Sequence, residues 1–145
     1  MEVNKENIDL MKQLLKTYGK YSKKIFDCKK ELEDISYRIK DCYNVSGVRY
    51  DQPIMNSNPY YNKLQEILNE EGEKLSELSF WENKRFALGL DKLLEMLCPE
   101  SKQIIDMHYF QELSISFITT NKQFKYEEAT KRKINKIVKF LVKKY

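Results

Sequence analysis

The chain has 145 residues, a formal net charge of +4, 41% hydrophobic, 12% aromatic and 33% charged residues, and only 4 Gly and 3 Pro. That length supports one modest core, and the mixture is too apolar for a disordered chain but suits long amphipathic helices with solvated outer faces. Its wholly apolar runs reach two or three residues, which excludes a membrane-spanning helix, and the polar, acidic start Met1-Glu2-Val3-Asn4-Lys5-Glu6 is unlike a signal peptide.

From about Asn7 to Tyr43 the chain lacks Pro, and Gly19 is its one glycine. Met11, Tyr18, Ile25, Leu32 and Ile39 recur at seven-residue steps, and so do Leu14, Tyr21, Cys28, Ile35 and Cys42, three residues on. Two registers in phase make an a/d seam, the pattern of a coiled coil. The helix is roughly 50 Å long at ~1.5 Å per residue, and a seam of that length has to bury itself against another helix.

Residues 44–59 interrupt the pattern with Gly47, Pro53, Pro59 and several Asn, so the spacing predicts a loop in which Val48, Tyr50 and Ile54 seek cover. Asn58-Pro59 then offers a helix start. A stripe of Tyr61, Leu64, Ile67, Leu68, Leu75, Leu78 and Trp81 follows, continued by Phe86, Leu88, Leu90, Leu93, Leu94 and Leu97 with Gly89 as a bend. This segment is expected to fold back antiparallel on the first helix.

Pro99 opens a short helix carrying Ile104, Ile105, His108 and Tyr109 to about Phe110. A turn and another short helix, with Ile115 and Ile118, come next. The last helix runs from about Tyr126 to Lys144, with a core stripe of Thr130, Ile134, Ile137, Val138 and Leu141. No β-strand pattern is present. The expected architecture is all-α, with a long antiparallel helical hairpin or coiled coil over 1–95 and a helix-turn-helix over 96–145.

Charge is segregated along the chain. Residues 122–145 hold nine Lys or Arg against Glu127 and Glu128, a balance of +7 that leaves −3 for the rest. A basic helix at the end of a helix-turn-helix is the footprint of a polyanion-binding element, with cations for phosphates and polar tips for base edges. The residues expected to contact double-stranded DNA are Lys122, Lys125, Tyr126, Lys131, Arg132, Lys133, Asn135 and Lys136.

The segment Leu97-Cys98-Pro99-Glu100-Ser101-Lys102-Gln103-Ile104-Ile105-Asp106-Met107-His108-Tyr109-Phe110 resembles the first helix of sigma-factor region four. Leu113-Ser114-Ile115-Ser116-Phe117-Ile118-Thr119 is similar to its second helix, with Thr119 where a small Ala is usual. Phe124-Lys125-Tyr126-Glu127-Glu128-Ala129-Thr130-Lys131-Arg132 resembles the turn and start of its recognition helix, with Glu127 where a Ser often stands as cap. Upstream, Val45-Ser46-Gly47-Val48-Arg49-Tyr50-Asp51-Gln52-Pro53 is similar to a segment of phage regulators of the RinA/ArpU type. The resemblance implies a bacteriophage late-gene activator in the cytoplasm of a bacterial host, its coil holding a second copy (a homodimer) or RNA polymerase. The competing expectation is a helical protein-interaction module that binds a host or phage protein through the coil, with a degenerate helix-turn-helix.

The remaining signals for chemistry are weak. The cysteines, Cys28, Cys42 and Cys98, are odd in number and form no CxxC pair, which argues against a disulfide framework and for a reducing compartment. Cys28 and Cys42 lie on the seam and read as small buried apolar groups. His108 is the one histidine and has no partner at metal or catalytic spacing. No phosphate loop or nucleophile motif occurs, so neither enzyme activity, metal nor cofactor is expected, and the apolar stripe of the last helix is needed for the core rather than for a membrane surface.

Overall fold

The structure, a computed structural model, describes residues 1–46 and 59–145. The expected loop, with Val48, Tyr50 and Ile54, falls outside the described residues except at its edges, as does the side chain of Tyr61. Regular structure among the described residues is entirely helical, as the periodicity predicts. The elements are α1 (Lys5–Ser46), α2 (Pro59–Ala87), α3 (Asp91–Glu95), α4 (Pro99–Ile105), a π-helical turn (Asp106–Phe110), α5 (Ile115–Asn121) and α6 (Glu127–Lys144). None is long and apolar enough to cross a membrane.

Two compact units form, one from residues 24–82 and the other from residues 1–23 together with 83–145. This division differs from a boundary near residue 95. The reason lies in the core of the second unit, where Met11 and Leu15 of α1 and Leu90, Leu93 and Leu97 around α3 are buried in one cluster with Ile104, Ile105 and Tyr109 and with the inner face of α6. The start of the heptad helix is therefore part of the same core as the C-terminal helices.

In the hairpin unit α1 and α2 run antiparallel. Lys24 lies over the Trp81 ring, Glu31 pairs with Lys74 and Arg38 pairs with Glu70, so partners descend in α2 as they ascend in α1. Ile35, Cys42, Leu64 and Ile67 form its core, flanked by Ile39 and Tyr43. Cys28 is buried as well, and burial pushes its thiol up, helped by Glu77. The expected α2 stripe is wider than the face actually covered, since Leu68, Leu75 and Phe86 are exposed, as are Phe26 of α1 and Phe80.

In the other unit, Asn4 caps α1 by accepting the Asn7 N–H at 2.9 Å. Gly19 lets α1 approach the π-helical turn closely. A Cβ built there would stand 2.8 Å from the Tyr109 carbonyl oxygen and 3.0 Å from the Phe110 Cα. Beside it, Tyr18 packs against Phe110 in a tilted ring pair, 5.2 Å between centroids, and donates to Asp91 at 2.7 Å. Burial, together with that hydrogen bond and the Asp91 charge, pushes the Tyr18 hydroxyl up to about 12. Gly89, at φ +70°, ends the chain's run from α2 and turns it into α3, a conformation that glycine adopts without a Cβ clash.

Candidate nucleic-acid interface

The helix-turn-helix is built from α5, residues 122–126 and α6. Ser114 caps α5 by accepting the Phe117 N–H at 3.1 Å. Its far end closes with a pair of reversed bonds: Phe124 N–H donates to the Thr119 carbonyl at 3.0 Å and Gln123 N–H to the Thr120 carbonyl at 3.2 Å. That is the Schellman arrangement, which needs a left-handed residue at Gln123, and Gln123 has φ +58°. A glycine-free turn thus reaches the required geometry at the cost of one strained residue.

Across the turn, α5 and α6 are joined by a hydroxyl pair. Thr119 Oγ1 lies 2.6 Å from Thr130 Oγ1 and 2.7 Å from the Ile115 carbonyl. The one Thr119 proton goes to that carbonyl, so Thr130, fully buried, is the donor within the pair. The residue that departs from the small Ala of the sigma-like pattern therefore has a structural role here: its hydroxyl satisfies a buried Thr.

The inner face of α6 is fixed by Thr130, Ile134, Ile137, Val138, Leu141 and Val142, all buried. At 100° per residue the opposite face holds Arg132, Lys136, Lys139 and Lys143, spaced by four, three and four residues and all exposed. Asn135 stands exposed at the edge of this row. Among the described residues no carboxylate pairs with any of the four cations.

The other expected contacts are dispersed. Lys131, at the flank of α6, lies 3.9 Å from Glu128, one turn earlier. Lys133, on the other flank, is half-buried beside Ile137. Lys122 is half-buried and donates to the Gln103 side chain of α4. Lys125 and Tyr126 are exposed before α6, with the Lys125 ammonium over the Tyr126 ring at 5.6 Å. Glu127 and Glu128 fill the first turn, where they suit the helix dipole. Hence Arg132, Asn135 and Lys136 share one face, whereas Lys122, Lys131 and Lys133 lie off it.

Lys139 and Lys143 stand in the row although they are not among the eight residues expected to contact DNA. The signal was present in the sequence, since they continue the Arg132–Lys136 row at helical spacing, seven and eleven residues on. Among the described residues no group of three His, Cys, Asp or Glu side chains is placed to hold a metal ion. The chain matches no family model, no curated protein and no solved structure.

Proposed function

We propose that the protein is a DNA-binding transcription regulator that lays α6 in the major groove. The observation that carries this reading is the exposed, carboxylate-free row Arg132, Lys136, Lys139 and Lys143 on a helix whose opposite face is wholly buried. Such a row can follow a phosphate backbone, while Asn135 at its edge has the donor and acceptor needed to read adenine. The resemblance to sigma-factor region four and to RinA/ArpU-type regulators supplies the setting: a phage product, acting on late genes in the bacterial cytoplasm, with a second copy or RNA polymerase as protein partner.

The test is a mobility-shift titration of a random-sequence duplex across salt. Four phosphate contacts give a slope of about −3.6 in log affinity against log salt, a fall of about 150-fold between roughly 50 and 200 mM. Replacing Arg132 and Lys139 by Ala flattens the slope by about 1.8. Absence of binding at low salt, or a slope unchanged in the double variant, refutes the proposal. The competing reading, a protein-interaction module, is favoured by the exposed Phe26, Leu68 and Leu75 of the hairpin unit and predicts that the double variant changes nothing.

A further inference from the structure

A second surface lies on the flank of α6, within the unit that carries the helix-turn-helix. It is a groove of about 350 Å³ between the α3–α4 corner and α6. Leu97 and Ile137, both buried, form its floor, and Met96 and Phe140 stand as lips, 55% and 37% exposed. Lys133 and Lys136 complete the α6 wall, and no carboxylate lines the groove among the described residues. The exposed Met and Phe lips leave apolar surface in water above a buried aliphatic floor, directly beside two lysines.

The shape and the charge narrow the occupant. The groove is open along one side, whereas a small-molecule site encloses about 70–90% of its ligand. An open apolar trough is what an amphipathic helix uses, inserting anchors spaced by one helical turn. The two lysines can lay their methylene stems along the apolar wall and keep their ammonium groups at the rim. A partner there meets two lysines in the wall, with the Glu100 charge confined to the Cys98 end, so carboxylates beside its anchors are favoured and lysines are disfavoured. The same field is felt at the groove's end, where Lys133 outweighs Glu100 at the Cys98 thiol, already held below the usual thiol range by its contact with Ser101.

We infer that this groove docks a short acidic amphipathic helix of another protein, its apolar anchors on Leu97 and Ile137 and its carboxylates against Lys133 and Lys136. The inference does not rest on DNA binding. If α6 does read DNA, Lys136 belongs to both surfaces, while Arg132, Lys139 and Lys143 remain outside the groove.

The probe is a labelled synthetic helical peptide with Leu at positions i and i+4 flanked by Glu, titrated with the full-length protein by fluorescence anisotropy. A scrambled peptide of identical composition and a peptide with Lys in place of Glu serve as comparisons. The amphipathic acidic peptide is expected to bind at least ~10-fold more tightly than either, the size of a ~1.4 kcal/mol preference. Met96→Glu, a change at an exposed lip off α6, is expected to weaken it by at least ~10-fold, and Phe140→Ser to do so independently. Circular dichroism of both variants checks the fold. Equal binding of the scrambled peptide, no binding of the acidic one, or full binding by a folded Met96→Glu variant overturns the inference. A DNA titration on the same samples separates the two readings: Met96→Glu leaves DNA binding intact, and Arg132→Ala with Lys139→Ala leaves peptide binding intact.

Discussion

Replacing either of two glycines by alanine is expected to change stability in opposite directions, although both lie in long helices. Alanine is better than glycine in a helix interior by about 1 kcal/mol. At Gly72 of α2 an added Cβ meets nothing within 4 Å, so Gly72→Ala is expected to stabilise the hairpin unit by about 0.5–1 kcal/mol. At Gly19 the same methyl meets the Tyr109 carbonyl oxygen at 2.8 Å and the Phe110 Cα at 3.0 Å. These are backbone atoms that cannot rotate away, so α1 and the π-helical turn must separate. Overpacking of this kind costs about 1–3 kcal/mol, and separation also loosens the tilted Tyr18–Phe110 ring contact and the Tyr18–Asp91 hydrogen bond. The net expectation for Gly19→Ala is a loss of about 1–2 kcal/mol. Urea titration measures both: with a slope of about 2 kcal/mol per M, the midpoint falls by about 0.5–1 M for Gly19→Ala and rises by about 0.25–0.5 M for Gly72→Ala. Trp81, the one tryptophan, reports on the hairpin unit by fluorescence, while far-ultraviolet circular dichroism reports on both units. A Gly19→Ala protein as stabilised as Gly72→Ala refutes the close approach of α1 to the turn.

Three further outcomes follow from the turn and from the one histidine. Thr119→Ala removes the acceptor of the buried Thr130 hydroxyl and is expected to cost about 1–2 kcal/mol. In a cycle with Thr130→Val the two changes should couple by about 0.5–1 kcal/mol, and strict additivity in chemical denaturation would argue against the hydroxyl pair. Gln123→Gly relieves the left-handed residue of the turn and should raise stability by about 0.5–1 kcal/mol, whereas Gln123→Val should lower it by more than about 1 kcal/mol. A tolerated valine would show that the turn takes another form. Burial holds the His108 imidazole below its ordinary range, Lys16 and Lys12 push the same way, and the Leu113 backbone opposes them. The unfolded chain then binds the proton first, so stability is complete above pH ~6.5 and falls as the pH drops from there toward the folded value. Thermal melts between pH 7 and 5.5 should show that fall in the native protein and not in His108→Gln; a melt that rises on acidification has the wrong sign for this environment.

How far the sequence reveals the fold depends on how many partners a helix has. The inner face of α6 packs against a single core, and the stripe Thr130, Ile134, Ile137, Val138 and Leu141 reads correctly to the residue, with Val142 added beyond it. The first helix serves two cores, and there the strict heptad misleads. In the hairpin unit Ile25, Cys28, Ile35 and Cys42 are buried on the seam as the repeat requires, but near the N-terminus Leu15 is fully buried and the seam residue Leu14 only partly. The residues that cover this part of α1 come from α3, α4 and α6 rather than from one parallel or antiparallel mate, so the buried face no longer follows a seven-residue step. Leu90, Leu93 and Leu97 illustrate the same limit: their spacing continues the α2 stripe, yet Gly89 redirects the chain and they join the core of α6.

The candidate interface obeys the same logic in reverse. A cation's presence is legible from the sequence, but its availability is not, because availability depends on what the fold brings beside it. Lys122 is engaged by Gln103, nineteen residues away along the chain, and Lys133 lies in the wall of an apolar groove whose other side comes from residues 96–101. Neither relation has a local signature. Arg132, Lys136, Lys139 and Lys143 are different: their spacing alone places them opposite the buried stripe, and nothing else in the unit supplies a carboxylate to them. The acidic first turn of α6, Glu127 and Glu128, adds a constraint of its own. It places the cationic row in the middle and end of the helix rather than at its start, so phosphate contacts by α6 would concentrate beyond its first turn. Glu128→Gln should then strengthen binding to a random duplex several-fold without changing its salt slope by as much as removal of Arg132 does. A loss of affinity on that substitution would place Glu128 against a base edge instead, as an acceptor for a cytosine amino group.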